Sequence, residues 1–324
     1  MRIFITGGAG FVGSHLAEAE LAAGHNITVL DLSDEKIKHL LNHPRLKFIR
    51  GSILDEPLIN KLIERADLVY HLAAIADPHL YCNNPLKVLE VDLEGSQLIM
   101  KLAHRHLKKL VFSSTSEIYG KNPKVPWKEN DDRLLGATEK MRWSYSSIKS
   151  VCEHYLFAYA QKGLKMTICR FFNFYGPRLD FLGQGRVISC FLERFLTGKP
   201  VQIVKPGNQT RCFTFISDGI DGLRKAAHLP KAEGQVFNLG TNRETTMIQL
   251  AQLIKRLGGF KSKIVFIPAE KKYGKGYDDI PRRVPNIQKA KKILRWEPTT
   301  SLEDGLKQTI EYYRMFYQKN RHES

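Results

Sequence analysis

The first thirteen residues leave this chain few folds to choose from. Ile3, Phe4 and Ile5 form a short apolar run that reads as a buried strand. Gly7, Gly10 and Gly13 follow at once in a G-x-x-G-x-x-G spacing that opens a helix running through Ser14-His-Leu-Ala-Glu18. Each glycine has its own steric duty: a tight turn at Gly7, close approach of backbone to a pyrophosphate at Gly10, and close packing of helix on strand at Gly13. The free N–H groups and positive dipole end of that helix then face the phosphates. About twenty residues on, 26–30 reads as a second strand ending in Asp31, where a carboxylate can accept hydrogen bonds from an adenosine ribose diol. The same carboxylate repels a 2′-phosphate, and Leu32 and Ser33 supply no arginine to receive one. The expected cofactor is therefore NAD rather than NADP.

A chain of 324 residues can bury a large core as one α/β unit or two lobes. Its N-terminus already reads as a functional strand and no eighteen-residue apolar run occurs. Neither a cleavable signal nor a membrane span is expected, and the expected compartment is the cytoplasm. Five scattered cysteines without C-x-x-C spacing argue against a disulfide framework and against a zinc site built on them; they read as reduced thiols, and no metal is assigned. The net charge of +17 calls for an acidic partner. No DNA- or RNA-binding motif accompanies the basic clusters, so a polyanionic small substrate is expected and nucleic acid is not.

Short β-rich runs at 47–50, 67–71, 109–113 and 166–170 alternate with helical stretches, the pattern of a doubly wound parallel sheet with right-handed crossovers. The run at 166–170 closes the set. Beyond it the texture becomes aromatic and mixed, as in a smaller α/β lobe lying over the carboxyl ends of the strands. The expected fold class is a Rossmann-type α/β sheet with such a lobe. Its division is 1–172 for nucleotide, with 213–238 returning to it, and a discontinuous 173–324 for substrate.

The hydroxyl-rich stretch Ser113-Ser-Thr-Ser-Glu117 ends the fifth strand, and Tyr145 and Lys149 stand four residues apart on one helix face. A tyrosine titrates near pH 10, too high to accept a proton at neutrality. An ammonium about 4 Å away, at an effective dielectric of roughly 20, stabilises the phenolate by about 4 kcal/mol and would make Tyr145 a competent base.

With these motifs in view, the chain resembles the extended short-chain dehydrogenase/reductase family of nucleotide-sugar enzymes. The resemblance runs nearly end to end through Gly7-x-x-Gly10-x-x-Gly13, His71-Leu-Ala-Ala74, Tyr145-x-x-x-Lys149, Arg170-Phe-Phe-Asn173, Tyr175-Gly-Pro-Arg178, Arg211-x-Phe-Thr214 and Phe237-Asn-Leu-Gly240. Within the family it is most like the UDP-glucuronate decarboxylases. Pro78-x-x-Tyr81-x-x-Asn84-Pro85, Thr115-Ser116-Glu117, Gly185-Arg186-Val187 and the segment from Tyr277 to Arg283 carry that finer likeness.

The resemblance implies cofactor contacts at Phe11, Val12, Ser52, Ile53, Leu72, Ala73, Ala74 and Phe172 besides the glycines, Asp31, Tyr145 and Lys149. It implies substrate contacts at Pro78, Tyr81, Asn173, Arg178, Arg186, Val187, Arg211, Tyr277 and Arg283. Catalysis falls to Tyr145, Lys149, Thr115, Ser116, Glu117 and Arg283. The implied reaction is oxidation at C4 of UDP-glucuronic acid, which turns the C6 carboxylate into a β-keto acid that loses carbon dioxide. Tyr145 and Thr115 stabilise the 4-oxyanion, and Ser116 and Glu117 orient the carboxylate or manage protonation at C5. A 4,6-dehydratase and a 4-epimerase are the alternatives. Members commonly dimerise through two helices per subunit, and Val151, Tyr155, Leu156 and Tyr159 make a dimer the expected assembly.

Overall fold

In β1 (Arg2–Thr6), Ile3 to Thr6 are all buried, a continuous run rather than an alternating one, as a strand covered on both faces requires. The computed structural model to which it belongs describes residues 1–180, 185–273 and 278–322, apart from the side chains of Pro78, His79, Cys82, Tyr273 and 319–322. The chain turns through Gly7 into α1 (Phe11–Ala22), then β2 (Asn26–Asp31), β3 (Leu46–Arg50), α2 (Glu56–Arg65) and β4 (Leu68–His71). Two short helices, α3 (Pro78–Asn83) and α4 (Pro85–Leu89), lead through a π-turn into α5 (Gly95–Arg105). There follow β5 (Lys109–Thr115), α6 (Ser144–Ala160) and β6 (Met166–Phe171).

The remaining elements are β7 (Phe174–Tyr175), α7 (Val187–Leu196), β8 (Val201–Val204), β9 (Thr210–Cys212), β10 (Thr214–Phe215) and α8 (Ile216–His228). After them come β11 (Gln235–Leu239), β12 (Glu244–Thr246), α9 (Met247–Gly258), β13 (Ile264–Ile267), α10 (Ala269–Tyr273), α11 (Gln288–Leu294) and α12 (Leu302–His322). Local chemistry sets several boundaries. The Asp55 carboxylate accepts the Leu58 N–H at 3.1 Å and starts α2, and Thr246 with Gln249 forms a reciprocal capping box at the start of α9.

Seven strands form one parallel sheet in the order β11-β6-β5-β4-β1-β2-β3. The sheet does not close at 166–170 as the strand pattern suggests, because β11 adds beside β6 with Val236 opposite Ile168. The crossover helix α8 makes this possible: Ile216, Ile220, Leu223 and Ala227 recur on its buried face, and it packs on α1. Among the described residues three short pairs lie outside the sheet: β8 with β13, β9 with β12, and β7 with β10.

The strand order reverses between β1 and β4, and ligands of open α/β sheets bind beyond the carboxyl ends at such a point. Two glycines make that edge possible. Gly7 has φ +67°, and a Cβ on Gly13 would stand 2.2 Å from the Gly7 carbonyl oxygen and 2.6 Å from the Gly8 Cα. Because those neighbours are backbone and cannot yield cheaply, Gly13→Ala is expected to lower the unfolding free energy by about 1–3 kcal/mol. A denaturant midpoint equal to that of the unmodified protein would refute this.

Candidate active site

The residues around the fingerprint form a cradle with a carboxylate at one end. The chain leaving β4 runs directly behind Gly7, where a Cβ would lie 2.7 Å from the Ala73 Cα, so Leu72 and Ala73 form the wall facing that glycine, with Ala74 next in the chain. His71 anchors that wall through hydrogen bonds shared with Thr6 Oγ1 at 2.7 Å and Ser96 Oγ at 2.9 Å. Burial, helped by the Lys149 charge, pushes its pKa down to about 3, so the ring is a neutral structural pin. At the end of β2 the Asp31 carboxylate accepts the Ala9 N–H at 3.0 Å and the Leu32 N–H at 2.7 Å, which ties the acidic group to the glycine turn. Beyond β3, Ser52 Oγ accepts the Leu54 N–H at 3.1 Å, and Ile53 packs where a Cβ on Gly95 would stand 2.3 Å from its Cδ1. A helix start that no side chain caps, with a carboxylate held beside it, fits a dinucleotide.

From this cradle a cavity of about 960 Å³ extends toward the small strand pairs, at the upper end of the size of ligand sites. Tyr145 lies in its wall, with the Tyr81 ring stacked on its own at a centroid distance of 4.8 Å and an interplanar angle of 4°. Helix α6 holds Tyr145 in place because Glu153, two turns on, is locked from below. Arg170 pairs with it at 2.6 Å and Ser114 Oγ donates to it at 2.5 Å. This accounts for the arginine of the Arg170-Phe-Phe-Asn173 motif, which is buried and also donates to Tyr119 Oη at 2.7 Å.

The dyad differs from the expectation drawn from spacing. Tyr145 and Lys149 share a helix face, yet the Lys149 ammonium turns to the Ser113 carbonyl at 2.9 Å and stands 5.8 Å from the Tyr145 ring centroid. The phenol is pushed up rather than down, by burial first and then by the charges of Asp92 and Glu117. The free chain therefore holds Tyr145 protonated.

Glu117 also differs. Its carboxylate is clamped between two guanidinium groups, Arg142 Nη1 at 2.5 Å from Oε2 and Arg283 Nη1 at 2.7 Å from Oε1. Burial raises the carboxyl pKa, but the two arginines outweigh it and hold the group at about 2. Glu117 is thus an obligate anion at neutral pH, unsuited to donating a proton at C5, and the trio carries a net single positive charge. Arg142 escaped the sequence reading although it lies one turn before Tyr145; the question that finds it is what could neutralise a glutamate at a strand end. Thr115 and Ser116 line the same cavity, and Thr115 Oγ1 accepts the Glu117 N–H at 3.2 Å.

Phe11, Val12, Asn173, Arg186, Val187 and Arg211 line the cavity as well. Asn173 sits at φ +42°, Arg186 reaches Asp180 at 3.0 Å, and Arg211 reaches Asp279 at 2.8 Å. Two residues expected to contact ligand do not line this cavity. Phe172 is fully buried in an aromatic cluster with Tyr119 and Trp127, away from the cavity, because alternate side chains of an extended segment leave opposite faces. Arg178 has φ +63° and turns to the far side of α1, where its guanidinium pairs with Glu18 at 2.5 Å and bonds His15 Nδ1 at 2.7 Å. Tyr277 and the Pro78 side chain lie outside the described residues.

A model of the NAD dependent epimerase/dehydratase family matches residues 3–240. The chain belongs to this family. As an epimerase/dehydratase member it is 39% identical over 315 residues to a UDP-N-acetyl-alpha-D-glucosaminuronate decarboxylase of Bacillus cytotoxicus, covering 97% of this chain and 98% of the relative. Among solved structures, the UDP-glucose 4-epimerase of Thermotoga maritima with UDP-glucose superposes with a TM-score of 0.88 at 33% identity, covering 98% of this chain and all of the other. The UDP-glucuronic acid 4-epimerase of Bacillus cereus, in complex with UDP-glucuronic acid and NAD, gives 0.86 at 27% identity and covers the same shares. The epimerase/dehydratase fold expected from the motifs is thereby shown. Among the described residues no helix is long and apolar enough to cross a membrane.

Proposed function

We propose that this chain is a UDP-hexuronate decarboxylase. The observation that carries the proposal is the buried Arg142–Glu117–Arg283 trio on the wall that Tyr145 shares. Its net positive charge suits a sugar that brings its own carboxylate. Its glutamate, held ionised, is poorly placed for the acid–base work that elimination of water demands. Decarboxylation needs no such donor for bond breaking, only a ketone at C4 to receive the electrons; the enolate left at C4–C5 then takes its proton at C5 from solvent, relayed by the Ser116 hydroxyl. The relative at 39% identity, named for a 2-acetamido uronate, makes UDP-N-acetylglucosaminuronic acid the first substrate to test, with the UDP-glucuronic acid implied by the motifs beside it.

Gly7, Gly10, Gly13 and Asp31, with the backbone at 72–74, would hold the NAD. Bound there, NAD supplies reversible hydride removal at C4. Tyr145 exchanges the proton of the 4-hydroxyl, and Thr115 donates a hydrogen bond to the developing oxyanion. Lys149 keeps a positive charge beneath the phenol. Arg142 and Arg283 receive the C6 carboxylate while Glu117 holds them apart and takes up part of their charge, so that the carboxylate is oriented without being trapped. Arg186, Arg211 and Asn173 bind the nucleotide.

Incubation of the NAD-loaded protein with the two UDP-hexuronates, read by mass, should show loss of carbon dioxide from one of them. A product of unchanged mass would favour the 4-epimerase reading that the Thermotoga and Bacillus cereus neighbours suggest. Intact substrate in both incubations would end the decarboxylase reading. Arg142→Met should raise KM for the accepted uronate about tenfold or more while leaving the affinity for UDP itself unchanged, the pattern of a lost contact to one charged group. Val151 and Tyr155 on α6 are about 40% exposed, whereas Leu156 faces the sheet, so a dimer formed on α6 would bury the first two; light scattering tests it.

A further inference from the structure

Away from the cavity, α1 carries a second cluster whose groups the reaction does not use. Glu20 lies nine residues beyond Phe11, about 14 Å along the helix axis from the nucleotide end. Its side chain has no exposed surface, and its Oε2 is buried without a hydrogen-bond partner. Two imidazoles point at this carboxylate, one five residues along the chain and one from a remote segment. His25 Nε2, from the turn between α1 and β2, stands 3.5 Å from Oε2, and His228 Nε2, from the last residue of α8, stands 2.9 Å from Oε1. The two rings stack with centroids 5.5 Å apart. Among the described residues this is the single group of histidine, cysteine and carboxylate ligand atoms gathered within 4.8 Å of one another.

We propose that Glu20, His25 and His228 bind a divalent transition-metal ion, Zn²⁺ by the chemistry of its donors, as a clasp between the α1–β2 corner and the end of α8. Metal–ligand distances of about 2.0–2.1 Å at tetrahedral angles put neighbouring ligand atoms about 3.3 Å apart; His25 Nε2 meets one carboxylate oxygen at 3.5 Å and His228 Nε2 the other at 2.9 Å, so a turn of the Glu20 carboxylate would bring one oxygen to both rings. Two nitrogens and one carboxylate oxygen leave a fourth position for water, and the histidine side chains, 21% and 30% exposed, leave a path from solvent. The Tyr70 hydroxyl donates to Glu20 Oε1 at 2.8 Å and orients the carboxylate from behind, as outer partners of metal ligands do. Burial lowers the pKa of His25, favouring the neutral ring that a metal requires. Arg224 Nε, 3.4 Å from Oε1, balances the carboxylate in the metal-free chain and would be the ion's competitor.

The test uses the full chain, stripped with a chelator and titrated with ZnCl₂ by calorimetry and thermal unfolding, with CoCl₂ as a spectroscopic substitute. One Zn²⁺ per chain, a raised Tm and the visible bands of four-coordinate Co²⁺ are expected. His25→Ala and His228→Ala should each weaken binding about tenfold or more and abolish the Tm shift. Glu20→Gln, which keeps the size of the side chain and removes its charge, should do the same. Arg224→Ala should tighten binding, a result that a merely structural ion pair would not produce. Titrations with no saturable binding, or affinities unaltered in both histidine variants, would overturn the proposal.

Discussion

Tyr145→Phe is expected to lower kcat on the accepted UDP-hexuronate by about 10²–10⁴-fold, the usual worth of a positioned acid–base group, with substrate affinity nearly unchanged. The substitution removes one oxygen from a ring packed against Tyr81, so stacking and cavity shape survive and the loss falls on proton exchange at the sugar hydroxyl. Since burial, Asp92 and Glu117 raise the phenol's pKa in the free chain, kcat/KM of the unmodified protein should climb with pH through the neutral range, as deprotonation of Tyr145 becomes easier. Steady-state turnover across pH, paired with calorimetric binding, checks both parts. A variant that turns over normally would remove Tyr145 from the chemistry.

The second large effect is on stability. Glu117→Gln leaves two guanidinium groups facing each other without an anion, and breaking a buried charge pair from one side costs about 3–5 kcal/mol. Denaturant midpoints at constant slope should show that loss, and decarboxylation should fall with it. The pH dependence follows from the direction of the shift. The Glu117 carboxyl lies at about 2 in the folded chain against an ordinary 4.5, so its contribution is complete above about 4.5 and disappears as pH falls toward 2. The stability gap between the two proteins should therefore narrow on acidification. A gap independent of pH would show that the glutamate is not held as an anion.

How far the site was legible depended on how local its parts are. Gly7, Gly10, Gly13 and Asp31 lie on one strand–turn–helix–strand unit, and spacing alone placed them, since backbone sterics act over a few residues. Tyr145 and Lys149 were read to the correct helix face, but the direction of a flexible four-carbon ammonium depends on what it meets, here the Ser113 carbonyl. Phe172, Asn173 and Arg178 were all expected to contact ligand. A pleated strand and a left-handed turn sent Phe172 into the core and Arg178 around α1.

By itself, then, the sequence determined the parallel α/β sheet, the glycine turn that opens the first helix, the family and the cavity's tyrosine, because each is written in residue types at fixed short spacings. Tertiary structure alone decided the rest: Arg142 and Arg283 closing on Glu117, and His228 coming back to meet Glu20 beside His25. Groups as far apart as Glu117 and Arg283, or Glu20 and His228, find one another only when the chain is packed, and burial then sets which of them titrate and which stay fixed.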